Sequence, residues 1–229
     1  MFESTQDLEL AQLWAEEFLG EKNVAKFHLN PMTFVAAYKS EDGFSFVVED
    51  DPFYSHLYGK NAYLDPRCTE FALESTESPH FENYAVRGGG YEFWELDTGT
   101  SYGAIELLKD EEEVLKFIQS HAPDSSVKPG NNEIIFWGGL RNLYRELVAC
   151  AVVVKWQSGL HVVSSVTTRT QERGQGLGTA LSIGIACHAR ELGIPFLGLG
   201  VRRDNFVAQR VYEKAGYKRI GTFTNYSRE

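Results

Sequence analysis

The chain has 229 residues, with 22 Lys+Arg against 32 Asp+Glu, a formal charge of −10, and 43% apolar and 13% aromatic residues. This composition supports a sizeable buried core and excludes a disordered chain. The acidic balance argues against general binding to nucleic acid or to an anionic membrane.

The opening Met1-Phe2-Glu3-Ser4 lacks the basic and apolar regions of a signal peptide, and no run reaches the roughly 18 apolar residues of a membrane span. Leu8, Leu10, Leu13, Trp14 and Phe18 predict a first helix with an apolar stripe. Thr33–Tyr38 and Phe44–Val48 follow as strands joined by an Asp-Gly turn, and residues 52–84 show no clear period. Gly88-Gly89-Gly90 reads as the best candidate for a domain boundary, or as a loop inside one continuous sheet. After it, Tyr91–Leu96 and Tyr102–Leu108 read as strands, Asp110–His121 as a helix with an acidic first turn, and 121–132 as a loop. Glu133–Trp137 is strand-like. Leu147–Trp156 and Leu160–Thr168 form a hairpin about Gln157-Ser158-Gly159. A helix from about Gly176 to Leu192 places Leu177, Leu181, Ile185 and Leu192 on one face and ends at Gly193 and Pro195. Phe196–Val201 is a strand. Asp204 or Asn205 caps a last helix with Ala208, Val211, Tyr212 and Ala215 on one side, and Tyr217–Phe223 is the final strand. No internal repeat is visible.

Charge is unevenly spread. Residues 1–85 carry 5 Lys+Arg and 16 Asp+Glu, whereas residues 169–229 carry 10 and 5. The basic segment contains Arg173-Gly174-Gln175-Gly176-Leu177-Gly178-Thr179, which follows the strand ending at Thr168 and opens a helix. Glycines let the backbone bend tightly and approach a ligand, and the free N–H groups of a helix start attract phosphate. The pattern lacks the Lys-Ser/Thr of a P-loop and the spacing of a dinucleotide turn. Cys68, Cys150 and Cys187, odd in number and at unrelated spacings, give neither a disulfide framework nor a zinc pattern. The last two read as small core residues rather than acyl-enzyme nucleophiles, and the six histidines show no metal-ligand spacing. The chain reads as soluble, reduced and cytoplasmic.

Arg173-Gly-Gln-Gly176-Leu-Gly178, followed 27 residues after Gly178 by Asn205-Phe-Val-Ala208-Gln-Arg-Val-Tyr212-Glu-Lys-Ala-Gly216-Tyr217, resembles the GNAT superfamily of acyl-CoA N-acyltransferases. The resemblance implies an α+β fold: a mixed, mainly antiparallel sheet flanked by helices over residues 87–229, preceded by an acidic α/β extension, 1–86, of unknown role. It also implies transfer of an acetyl or other short acyl group from a CoA thioester to an amine by direct attack in a ternary complex. In that scheme the backbone of Gly174, Gln175, Gly176, Leu177, Gly178 and Thr179, with Arg173, cradles the CoA pyrophosphate. Val166, Thr167 and Thr168 meet the pantetheine arm. Asn205 caps its helix or contacts CoA, and Tyr212 either is the general acid for the departing thiolate or is a core tyrosine.

A base is harder to find, because the strand before the glycine turn, Leu160–Thr168, contains no carboxylate. His161, Glu133 and Glu146 are candidates, directly or through water, and Ser164 or Ser165 could order that water. Only 13 residues follow Gly216, enough for one strand where the family has two. Either the last strand is short or absent, or the N-terminal part or a second subunit completes the sheet edge, so the chain is read as monomer or homodimer. The acidity of 1–85 points to a cationic amine acceptor, with no metal. The alternative is a CoA-binding regulatory or interaction module without catalysis.

Overall fold

The computed structural model describes residues 2–20, 28–29, 31–49, 53–75, 80–100 and 102–229. In chain order the elements are β1 (Glu3–Thr5), α1 (Leu8–Leu19), β2 (Phe34–Lys39), β3 (Gly43–Val48), β4 (Tyr54–Gly59), β5 (Glu70–Glu74), β6 (Tyr84–Val86) and β7 (Tyr91–Asp97). Then come β8 (Glu106–Leu107), α2 (Glu111–His121), β9 (Ile134–Arg141), β10 (Leu147–Lys155), β11 (His161–Thr168), α3 (Leu177–Glu191), β12 (Phe196–Arg202), α4 (Phe206–Lys214) and β13 (Lys218–Arg228). The α+β class expected from the sequence holds. Among the described residues, no helix is long and apolar enough to cross a membrane.

The chain divides into two compact units. The first comprises Met1–Phe93, Gly200–Asn205 and Arg219–Glu229; the second comprises Trp94–Leu199 and Phe206–Lys218. In the first unit the strands run in the order β1-β2-β3-β4-β5-β13, with β6 also on β13. All neighbours are antiparallel except β4 and β5, which are parallel from Tyr54↔Glu70 to Leu57↔Leu73. The last strand therefore finds its partner among the N-terminal residues, pairing Phe223–Ser227 with Glu74–Glu70. It runs further than the Tyr217–Phe223 expected from the sequence, because β5 and β6 supply partners as far as Arg228.

Helix α1 begins where the Asp7 carboxylate accepts from Glu9 N and Leu10 N, at 2.9 and 3.2 Å. Its buried face is Ala11, Trp14, Ala15 and Leu19, while Leu10 and Leu13 face solvent. The predicted leucine stripe is thus rotated: alanines at i and i+4 bring the helix close to β2 and β3.

The second unit has strand order β12-β11-β10-β9-β8. β10 is buried from Leu147 to Val154, as its continuous apolar run predicts. β9 extends four residues beyond its predicted end at Trp137, through Gly138, Gly139, Leu140 and Arg141. A Cβ on Gly138 would lie 2.6 Å from Ile185 of α3, so the missing side chain lets that helix lie close on the sheet. The strand predicted over Tyr102–Leu108 shrinks to Glu106–Leu107. Gly103 and Ala104 instead pack against Ile183 and Gly184 of α3, which takes their backbone out of the ladder. Leu192, predicted on the apolar face of α3, is instead its exposed C-terminal cap. Arg141 anchors α2 by a two-pronged bond to Glu113, both contacts 2.7 Å, and reaches Glu106 at 3.0 Å.

Candidate functional site

The predicted loop sits at the end of β11. A 3-10 turn, Thr170–Glu172, leads to Gly174 and Gly176, which adopt φ of +82° and +81°. Open space surrounds the position of a Cβ at either glycine. Gly176 is the N-cap of α3 and, having no side chain, offers no capping bond. The N–H groups of the first turn, Leu177, Gly178 and Thr179, therefore have no side-chain acceptor from the cap. The first intrahelical bond is Ala180 N to Gly176 O, 3.0 Å. An exposed loop with N–H groups left uncapped by a side chain, at the start of a 15-residue helix, forms a cradle whose donors and dipole suit an anion. Gly178 packs against Val211 of α4, which an added Cβ would approach to 3.4 Å.

Arg173 does not project freely into this cradle. Its Nε donates to Thr168 O at 3.3 Å and its Nη2 to His121 O at 2.9 Å, tying the turn to the end of α2. Its charge remains beside the loop while its bonds are spent on backbone carbonyls. Arg169 is held in the same way by Glu146 Oε2 and Leu147 O, at 2.8 and 2.7 Å. Bonds from Asn142 and Arg169 push the Glu146 carboxyl below its usual range, which makes Glu146 a poor base.

β11 carries a bulge. Thr167 faces Cys150 and Ser164 faces Val152, so Ser165 and Val166 together oppose Ala151. Ser165 takes φ +52°, a left-handed conformation costly for a residue with a Cβ. Two bonds to the preceding loop hold it there: Ser165 Oγ donates to Val127 O at 2.7 Å and accepts from Val127 N at 3.3 Å. The Ser164 and Ser126 hydroxyls add a contact of 3.1 Å. Beside the bulge, β11 and the parallel β12 meet in register only at Val162↔Gly198. The β11 segment Val166–Thr168 thus lies beyond the point where the two strands pair.

Tyr212 lies in α4 with 8% of its surface exposed, and burial pushes its phenol up to about 12. The ring of Tyr217 lies 5.7 Å away; its own hydroxyl is buried without a hydrogen-bond partner, and burial raises it further. Asn205 directly precedes α4, and its N–H donates to Arg202 O at 3.0 Å. Asp204, the other cap candidate, is instead bonded by Arg202 through both carboxylate oxygens.

The two remaining base candidates sit elsewhere. His161 begins β11 opposite Lys155, and Glu133 O accepts from Lys155 N. Both therefore lie at the end of the sheet away from the glycine turn. At about 3.3 Å per residue, His161 is roughly 16 Å along the strand from Val166. Burial and Lys155 lower the pKa of His161. Cys150 and Cys187 are buried, as their apolar surroundings predict, and burial raises the Cys150 thiol to about 12. Among the described residues, no cluster of His, Cys, Asp and Glu could hold a metal ion.

The first unit contains a polar network that the sequence reading passed over. His28 lies between two tyrosine hydroxyls, Nδ1 at 3.1 Å from Tyr58 and Nε2 at 2.6 Å from Tyr91. Its ring stacks on His56 at 4.1 Å. His56 is buried, its pKa pushed down to about 3, and its Nδ1 has no hydrogen-bond partner. The available signal was the alternation of Tyr54, His56 and Tyr58 along β4, which puts all three on one face.

A sequence profile described as the acetyltransferase (GNAT) family matches residues 104–217. No curated protein matches the chain in sequence. Among solved structures, the chain is similar to a GCN5-related N-acetyltransferase from Sphaerobacter thermophilus, with TM-score 0.63, 13% identity, and 98% and 94% of the two chains covered. It is also similar to a GNAT-family acetyltransferase from Colwellia psychrerythraea, with TM-score 0.55, 11% identity and full coverage of both chains. A third likeness is to a putative GNAT-family acetyltransferase from Novosphingobium aromaticivorans, with TM-score 0.50, 21% identity, and 70% and 74% covered. At these identities the structures speak for the fold, and the profile speaks for the sequence across the glycine turn and α4. Residues 104–217 of this chain form an acetyltransferase domain of the GNAT family.

Proposed function

We propose that the protein transfers an acetyl or other short acyl group from a CoA thioester to a cationic amine, by direct attack in a ternary complex, with residues 87–229 supplying the transfer machinery and 1–86 reading the acceptor. The observation that carries this reading is the uncapped start of α3 behind two left-handed glycines, at the end of a bulged strand. In this scheme the N–H groups of Gly174–Thr179 hold the pyrophosphate, and the charge of Arg173 adds to the local field. The backbone of Val166, Thr167 and Thr168 pairs with the pantetheine arm, and an N–H at the bulge faces the carbonyl oxygen as negative charge develops there.

Tyr212 serves the departing sulfur. A phenol raised to about 12 is fully protonated at neutral pH. Complete transfer of its proton to a thiolate of pKa about 8.5 would be uphill by roughly 5 kcal/mol. Tyr212 therefore acts mainly by O–H donation to the sulfur as the C–S bond breaks. The amine must arrive without its extra proton. With His161 and Glu133 at the far end of β11 and β9, this reading gives that proton to water ordered near the Ser164 hydroxyl, rather than directly to a side chain.

Calorimetric titration with acetyl-CoA tests the donor half: micromolar binding is expected, and no binding at high micromolar concentration would sink the proposal. The lack of a carboxylate on β11 favours one competing reading, a CoA-binding module without catalysis. Tight CoA binding with no thiol release across a panel of primary amines would establish that reading instead.

A further inference from the structure

The end of α4 fixes one tyrosine against another. Gly216 takes φ +94°, its N–H donates to Glu213 O at 3.0 Å, and the Tyr217 N–H reaches back to Tyr212 O at 3.0 Å. This pair of bonds is the Schellman ending, in which the residue after the glycine commonly packs on the residue five positions before it. Here both residues are tyrosines of the second unit, with ring centroids 5.7 Å apart and planes tilted by 59°.

That contact needs a ring but no hydroxyl. Phenylalanine at position 217 would fill the same place and complete the same ending. Tyr217 instead carries an O–H into a site where only 3% of the residue is exposed and its oxygen has no hydrogen-bond partner among the described residues. An unbonded buried hydroxyl costs stability, so packing alone does not account for it. Its neighbour does. After burial, which is the larger cause, a charge on Tyr212 raises the Tyr217 phenol further, so the two groups sense each other. As Tyr212 gives its O–H to a departing sulfur, its oxygen gains negative charge. A second O–H turned towards that oxygen stabilises the charge, and in a chain of two hydrogen bonds each polarises the next. Both phenols are removed from water, which leaves this effect unscreened.

We propose that Tyr217 is a positioning residue for acyl transfer: its hydroxyl donates to Tyr212 Oη and polarises the O–H that Tyr212 presents to the departing sulfur. Tyr217 keeps its own proton throughout. The C–S bond breaks, its electron pair stays on sulfur, and the Tyr212 O–H bonds to that sulfur. The proposal rests on the acyl-transfer reading and adds to it a residue that acts only through Tyr212.

The test is a double-mutant cycle on thiol release from acetyl-CoA, with hydroxylamine as acceptor because it is unprotonated at neutral pH and needs no base. Tyr217→Phe should lower kcat about three- to tenfold, the size of one neutral hydrogen bond, with KM for acetyl-CoA unchanged. In the Tyr212→Phe background the same change should have no further effect on kcat. The Tm of Tyr217→Phe should equal or exceed that of the wild type, since phenylalanine keeps the ring contact and removes the unbonded hydroxyl. An unchanged kcat, an equal loss in the Tyr212→Phe background, or a Tm that falls together with kcat overturns the proposal. A wild type that binds CoA but releases no thiol overturns the acyl-transfer reading, and this role for Tyr217 falls with it.

Discussion

Gly176 and Gly159 separate backbone strain from ligand binding in one comparison. Both take positive φ, +81° and +85°, and both have open space where a Cβ would go. Gly176 caps α3, while Gly159 closes the β10–β11 hairpin, where its N–H donates to Trp156 O at 2.8 Å. Alanine at either position forces a left-handed residue with a Cβ and costs about 1 kcal/mol of stability, or about 2–4 °C in Tm for a chain of this size. Only at Gly176 does the new methyl enter the space that a phosphate needs to reach the first-turn N–H groups. Losing one such charge-assisted bond costs roughly 1.5–3 kcal/mol, a 10- to 150-fold rise in Kd for CoA. Thermal melts and calorimetric titration of Gly176→Ala and Gly159→Ala should therefore show equal losses of Tm but unequal losses of CoA affinity. Equal CoA affinity in the two variants would refute the assignment of the α3 N-terminus as the cradle.

Tyr212→Phe should lower kcat by about a hundredfold, the scale of a proton or hydrogen-bond donor to a leaving group, with CoA Kd within twofold of the wild type. A loss of CoA binding in parallel would return Tyr212 to a packing role. In the first unit, Asp65 accepts from Tyr38 Oη at 2.6 Å and from Arg67 Nη2, N and Nε at 2.7, 2.9 and 3.0 Å. The Arg67 bonds hold its carboxyl far below the usual range. Because the folded pKa lies below the unfolded value of about 3.9, the stabilisation is complete above that value and is lost as pH falls below it. Asp65→Asn should cost about 2 kcal/mol at pH 7, and the gap to the wild type in urea melts should narrow progressively as pH falls below about 4. A gap independent of pH would contradict this.

The legible parts of the sequence were those with a dense local signal. The β10–β11 hairpin, α3 with its glycine turn, and α4 all follow from apolar runs and turn residues, and the structure keeps their order and type. β4 and β5 were not legible. β4 buries Ser55 and His56 inside a sheet covered on both faces, so its burial carries no polar–apolar alternation to read. The Ser165 bulge was hidden as well, since the φ of a single serine is set by Val127, 38 residues earlier. Arg173 shows the opposite failure. Its place in the motif was plain, but the carbonyls that engage its guanidinium, Thr168 O and His121 O, come from the folded arrangement of β11 and α2.

The two units share an element order that no sequence repeat announces. In the second unit, a short edge strand, a helix and three antiparallel strands (β8, α2, β9, β10, β11) lead to the parallel β12. In the first, β1, α1, β2, β3 and β4 lead likewise to the parallel β5. The difference lies at the crossover. Between β11 and β12 the chain makes the glycine turn and the 15 residues of α3, and the two strands share one register pair. Between β4 and β5 lie residues 60–69, which contain no glycine and no helix, and the two strands stay paired over four register positions. The first unit thus has no uncapped helix start for a pyrophosphate at this point. The facing edges of its parallel strands bond each other, leaving nothing for an extended pantetheine arm to pair with. If the fold binds CoA through these two features, one CoA should bind per chain, and Gly176→Ala should weaken that single event without uncovering a second. Calorimetric stoichiometry decides it: a ratio of two, or a residual site untouched by Gly176→Ala, would show that the parallel pair of the first unit still accepts a donor, and the link drawn here between strand divergence and CoA binding would fail.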